Sequence, residues 1–161
     1  MKSIVILATT HENQILGNAR SSGLEQRVDY FKSKLGVQIV MEEWSKKKGK
    51  SAAETFTNKS GFPWANVGTP DEPQFRTYRG PVNYPGYDGT VPSDPDAPPL
   101  SEYGPFENQE AREDRMAKNV QSAMEKYQTG LFLLGLAHLH SMIGKLRALG
   151  FKVTAFSWLD R

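Results

Sequence analysis

The chain alternates short apolar runs with segments whose apolar residues recur at helical spacing. Ser3 to Ala8 is continuously apolar after its first residue and reads as a strand buried on both faces. Leu24, Val28, Phe31 and Leu35 fall at i, i+4, i+7 and i+11, which predicts an amphipathic helix that Gly36 stops. Val37 to Met41 predicts a second strand, and Ser51-Ala-Ala-Glu54 has the spacing of a capping box opening a short helix through Phe56. Trp64 to Val67 is a further short strand. Phe106 to Tyr127 is the longest predicted helix, with Met116, Val120, Ala123 and Tyr127 as its buried stripe. The apolar run Leu131 to Leu136 then predicts a buried strand. It is followed by a small-residue turn and by Leu139, Met142, Ile143, Leu146 and Leu149 at helical spacing, and Phe151 to Phe156 is the last strand.

Strands alternating with helices in this order predict an α/β fold, a mostly parallel sheet flanked by helices, in a single domain spanning residues 1–161. Residues 69–105 break the pattern. Nine of the ten prolines lie there, with Phe75, Tyr78, Tyr84, Tyr87 and Tyr103 among them, so this is an insertion within the domain. Prolines remove ladder donors and make it a poor source of central strands. Aromatic content distinguishes it from a disordered tract, and the expectation is that it docks over the rim of the sheet.

Composition narrows the function classes. With 38% hydrophobic and 24% charged residues the chain is an ordinary globular one. A net charge of +2 gives no electrostatic case for a nucleic-acid partner, and the cluster Lys46-Lys47-Lys48-Gly-Lys50 reads as a solvated loop. There are no cysteines, which removes disulfides, thiolate metal sites and a cysteine nucleophile. No apolar run approaches the roughly 18 residues of a membrane span. The apolar stretch near Met1 is too short for a signal peptide, so the expected location is the cytoplasm, with no membrane partner.

The candidate chemistry lies where strands end. In a parallel sheet all carboxyl ends share one edge, and open α/β sheets bind ligands there. The first strand runs into His11 and Glu12, the second into Glu42 and Glu43, and the run after Leu131 into His138 and His140. Arg112 lies four residues before Met116, on the inward stripe near the start of its helix, and so faces the same edge. Distant segments thus deliver imidazoles, carboxylates and a guanidinium to one rim. His140, two residues after His138, points away from it on a helix.

Those residues carry a resemblance. Gly135-Leu-Ala-His138 resembles the G-x-x-H motif of the TraB/TIKI group, within the erythromycin-esterase-like and ChaN-like superfamily. Arg112-Glu-Asp-Arg-Met116-Ala117 is similar to that group's E-R-N-x-x-M-A helix start, and Leu146 to Val153 to its L-x-x-x-G-y-x-V ending. Ala8-Thr-Thr-His11 resembles the first G-x-x-H, and Glu42 or Glu43 falls where the group has a strand-end glutamate. Ala8 stands in place of the first glycine, Ala111 stands where a glutamate usually precedes the arginine, and the insertion has no counterpart. The resemblance implies an α/β fold with a metal-dependent or histidine-based hydrolase site.

The expectation is therefore a hydrolase acting on a small-molecule or peptide substrate. His11, Glu43, Arg112 and His138 would carry the reaction. His11, Glu42, Glu43 and His138 would be the candidate ligands of a divalent ion such as zinc, manganese or cobalt. Arg112 would hold a substrate anion or stabilise developing negative charge. The alternative is a non-catalytic domain of the same fold that binds a small ligand or a protein through the rim and insertion.

Overall fold

The computed structural model describes residues 1–9, 11–17, 21–44, 49–68, 107–135 and 138–158, with the side chains of residues 11, 12, 21 and 107–111 outside that description. The insertion at 69–105 and the lysine cluster at 45–48 also lie outside the described residues.

Strands that are apolar at every position need cover on both faces, and a parallel sheet with helices on each side supplies it. Five strands make such a sheet: β1 (Ser3–Thr9), β2 (Ile39–Glu42), β3 (Trp64–Asn66), β4 (Thr129–Gly135) and β5 (Lys152–Ser157). Their spatial order is β3-β2-β4-β1-β5, and every pairing is parallel. The α/β class read from the alternation is the class observed.

The helices divide between the two faces. On one face, α2 (Ser21–Leu35) and α3 (Ala52–Ser60) pack Leu24, Val28, Phe31, Ala52 and Ala53 against Val5, Leu7, Val40, Leu131 and Leu133. On the other, α4 (Glu107–Ala123) and α5 (Leu139–Ala148) pack Met116, Val120, Met142 and Leu146 against Ile4, Ile6, Ile39, Met41, Phe132 and Leu134. The alternation of facing residues along each strand is the period of two that a pleated backbone requires. Each fully buried aliphatic or aromatic side chain contributes about 1.5–3 kcal/mol over its exposed state.

Several boundaries have local causes. α2 ends at Gly36, whose φ of 66° is left-handed and open to glycine at no steric cost. α3 begins at Ser51, whose side chain accepts from the Glu54 backbone N–H at 3.0 Å, the first half of the predicted capping box. α4 stops at Ala123, short of the predicted Tyr127, and Lys2 Nζ donates to the carbonyls of Met124 and Glu125, both at 2.7 Å, where helical partners run out. Gly130, the second residue of β4, is a glycine where the space beside the backbone is filled: a Cβ there would lie 2.5 Å from Met124 Sδ and 2.7 Å from Met41 Cε.

The topology places a crevice. The chain leaves β2 through α3 toward β3 at one edge of the sheet, on the α2/α3 face. It leaves β4 through α5 toward β5 at the opposite edge, on the α4/α5 face. Neighbouring strands whose continuations diverge in this way leave an opening above their carboxyl ends, the switch point at which open α/β sheets bind ligands.

Candidate functional site

Two carboxylates end β2, and the pleat sends them to opposite sides. Glu42 alternates with Val40 and belongs to the α2/α3 face, whereas Glu43 follows Met41 to the α4/α5 face. Each meets a different set of partners.

Glu42 is fully buried. It accepts from Gln14 Nε2 at 2.8 Å, from Trp64 Nε1 at 3.3 Å and from the Ser51 hydroxyl. Ser51 therefore accepts from the first turn of α3 and donates to β2, joining the helix cap to the strand end. Burial pushes the Glu42 carboxyl up to about 7, against the opposing pull of its hydrogen bonds from Ser51, Gln14 and Trp64. Gln14 comes from α1 (His11–Gln14), a single turn that follows β1. In the same turn Asn13 Nδ2 donates to Thr9 Oγ1 at 3.0 Å. These contacts tie α1, whose first residue is His11, to β1, β2 and α3.

Glu43 stands at the switch point. Its backbone N–H donates to the Leu133 carbonyl at 3.3 Å, so the ladder to β4 continues past the last strand residue. Asn66, at the end of β3, accepts from the Trp44 N–H at 3.2 Å and donates to the Trp44 carbonyl at 3.0 Å, fixing the backbone just beyond Glu43. The Glu43 carboxylate accepts from Arg112 Nη2 at 2.9 Å, and the same oxygen lies 3.8 Å from His138 Nε2. His138 precedes α5 as its N-cap residue without capping it through its side chain. The Nδ1 side of its ring faces Glu113 Oε2 at 3.3 Å. Arg112 and Glu113 are consecutive in α4, and α4 is held over the β3 end by Asn119, which donates to the Val67 carbonyl at 3.1 Å.

The four side chains are nearly closed to solvent: 6% exposed for Glu43, 8% for Glu113, 10% for His138 and 15% for Arg112. Burial alone would lower the His138 pKa. The hydrogen bond to Glu113 and the charges of Glu43 and Glu113 outweigh burial and the opposing Arg112, so the imidazole titrates above its usual 6.5. The second oxygen of Glu43, Oε2, is buried with no hydrogen-bond partner among the described residues.

The structure thus brings Glu43, Arg112 and His138 together and places Glu42 in a separate network on the other face. His140 is exposed on the first turn of α5. The His11 side chain, and with it the expected approach of His11 to His138, lies outside the described residues, as does the expected cover by residues 69–105. Sequence reading missed Glu113, although it lies four residues before Ala117 and seven before Val120 on the buried stripe. It also missed the burial of Asn13 and Gln14, which a four-residue helix is too short to announce by periodicity.

Among the described residues no group of three or more histidines, cysteines, aspartates or glutamates is arranged to hold a metal ion. Glu43 and His138 supply two donors, and one Glu43 oxygen is already paired with Arg112. A first-row divalent ion would need further donors beyond these two to complete its shell. Among the described residues, no helix is long and apolar enough to cross a membrane. No protein-family model matches this chain, and neither a curated protein nor a solved structure does.

Proposed function

We propose that the chain is a hydrolase of ester or amide bonds whose general base is His138. The observation that supports this is the placement of one imidazole between two buried carboxylates at the switch point, with Glu113 on its Nδ1 side and the Glu43–Arg112 pair on its Nε2 side. A proton on Nδ1 shared with Glu113 fixes the tautomer in which Nε2 is basic, and Glu113 stabilises the imidazolium once it forms. His138 Nε2 then takes a proton from the attacking water and returns it to the leaving group. Arg112 pairs with Glu43 through one nitrogen of a group that carries five donors, which leaves it chemically suited to stabilise a developing oxyanion. In this reading the protein works in the cytoplasm on a small molecule or peptide, and the TraB/TIKI resemblance implies the hydrolase class alone.

A metal-dependent version is the second reading, favoured by the unpartnered Oε2 of Glu43. His11, Glu43 and His138 would be the ligands, with Glu42 excluded by its own hydrogen bonds, and a bound ion would supply a water of lowered pKa.

The test is turnover of p-nitrophenyl esters and amino-acid p-nitroanilides by wild type, His138→Gln and Glu113→Gln, each with and without added zinc or manganese. Loss of kcat in His138→Gln by about 100-fold or more is expected. Equal kcat in wild type and His138→Gln refutes the proposal. Binding of ligands without turnover of any substrate returns the alternative of a non-catalytic binding domain.

A further inference from the structure

The buried cluster at the switch point has an unbalanced acceptor. Two carboxylates, Glu43 and Glu113, flank His138, and among the described residues Arg112 is the fixed cation paired with Glu43. With His138 neutral, as a general base must be, the four side chains sum to one negative charge. Within this cluster Glu43 Oε2 is buried and without a donor among the described residues. A buried carboxylate oxygen left unpaired costs much of its solvation energy, so a donor that reaches it is strongly favoured.

We propose that this rim receives a primary ammonium group of the substrate on Glu43 Oε2, so that the substrate is an amine-bearing ester or amide. The inference rests on the reading of the rim as the substrate site and names the substrate class. An ammonium supplies the missing positive charge and up to three donors, and it meets Glu43 on the side Arg112 does not use. A carboxylate or phosphate on Arg112 would instead be placed beside Glu43 and within the field of Glu113, two like charges in a poorly solvated crevice. Arg112 thereby also holds Glu43 in place for the ammonium, beside the role proposed for its remaining donors at the oxyanion.

Three small probes of similar shape test this on the intact protein: n-butylammonium, n-butanol and butyrate. The readout is the imidazole NMR resonances, which number three sets because the chain has three histidines, with the His138 set identified by its loss in His138→Gln. Butylammonium is expected to shift the His138 resonances saturably and about tenfold or more tighter than butyrate or butanol. Glu43→Gln should weaken that binding by about tenfold or more, since it removes a charge-assisted contact. If Glu43→Gln does not fold, the comparison of the three probes on wild type still decides the matter. Butyrate binding as tightly as butylammonium overturns the proposal, as does the absence of any saturable shift with butylammonium. A shift saturated by zinc alone, with none from butylammonium, assigns Oε2 to a metal and also overturns it. Because the readout is binding, failure to turn over any ester or amide would refute the hydrolase reading while a tight, Glu43-dependent butylammonium response would still support this one.

Discussion

Glu42 and Glu43, consecutive at the end of β2, are buried on opposite faces of the sheet and serve different networks. Glu42 collects three neutral donors from α1, the α3 cap and β3, whereas Glu43 takes a guanidinium from α4 beside an imidazole from the β4–α5 turn. One residue of spacing separates a carboxyl that joins secondary-structure elements from one that sits at the switch point of the sheet.

The imidazole should reveal its neighbours through the pH dependence of turnover. A general base is active when neutral, so activity should rise with pH along a limb whose midpoint lies above 6.5. Glu113→Gln removes a hydrogen bond and a negative charge that favour the imidazolium, and should move that midpoint down. Arg112→Met removes an opposing positive charge and should move it up. A log(kcat/KM)–pH profile for each variant checks both signs, and identical profiles would dissociate His138 from the rate.

The Glu43–Arg112 pair should show the asymmetry of buried charges. Removing one partner by Arg112→Met leaves Glu43 buried and uncompensated, an expected loss of about 3–5 kcal/mol. The double replacement Glu43→Leu with Arg112→Met should recover most of that loss in urea unfolding, while abolishing turnover. Additive losses in the double variant would show that the two side chains do not interact.

Glu42 should make stability fall with rising pH. Its carboxyl is raised in the folded chain from 4.5 to about 7, so between these values the folded state holds a proton that the unfolded state has lost. The favourable contribution is complete below 4.5 and gone above about 7, a change on the order of 3 kcal/mol. Glu42→Gln has no such titration. The difference in unfolding free energy between wild type and Glu42→Gln should therefore decline from pH 4.5 to 7, and parallel pH curves would contradict the assignment.

Gly130 should tolerate little. A Cβ would meet the ends of two methionines, which are flexible, so Gly130→Ala should cost about 1–2 kcal/mol and Gly130→Val more, since the branched side chain also approaches Ile39 Cγ2, 3.3 Å from the Cβ position. Thermal unfolding of the two variants measures the increments. A neutral Gly130→Val would mean that this end of the core is not packed as described.

The strands were legible in the sequence because burial on both faces leaves an unbroken apolar run, as in Val5 to Ala8 and Leu131 to Leu134. The helices were legible where one stripe is apolar, as with Leu24, Val28 and Phe31. Arg112 could be placed at the rim because Met116, one turn later, fixed which side of α4 faces inward. Glu113 was hidden because a glutamate is ordinarily solvated, and a single carboxylate on an apolar stripe looks like an interruption until its partner, His138, arrives from 25 residues away. The separation of Glu42 from Glu43 followed from strand period alone, but which of the two faced the crevice depended on which helices cover each face, and that is a tertiary fact.

The strand order carries a consequence for how the chain is made. β1 precedes the other strands along the chain, yet its ladder neighbours are β4 and β5: Ser3 pairs with Thr129 on one side and Lys152 on the other. β2 and β3 are the one pair of consecutive strands that are also neighbours in space. Most of the sheet therefore closes over long loops, whose entropy is lost before any contact is gained, and high contact order of this kind slows folding. During synthesis β1 waits, both edges unpaired, until β4 and β5 have emerged. Truncation before β4 should therefore yield a polypeptide that aggregates rather than a smaller folded unit.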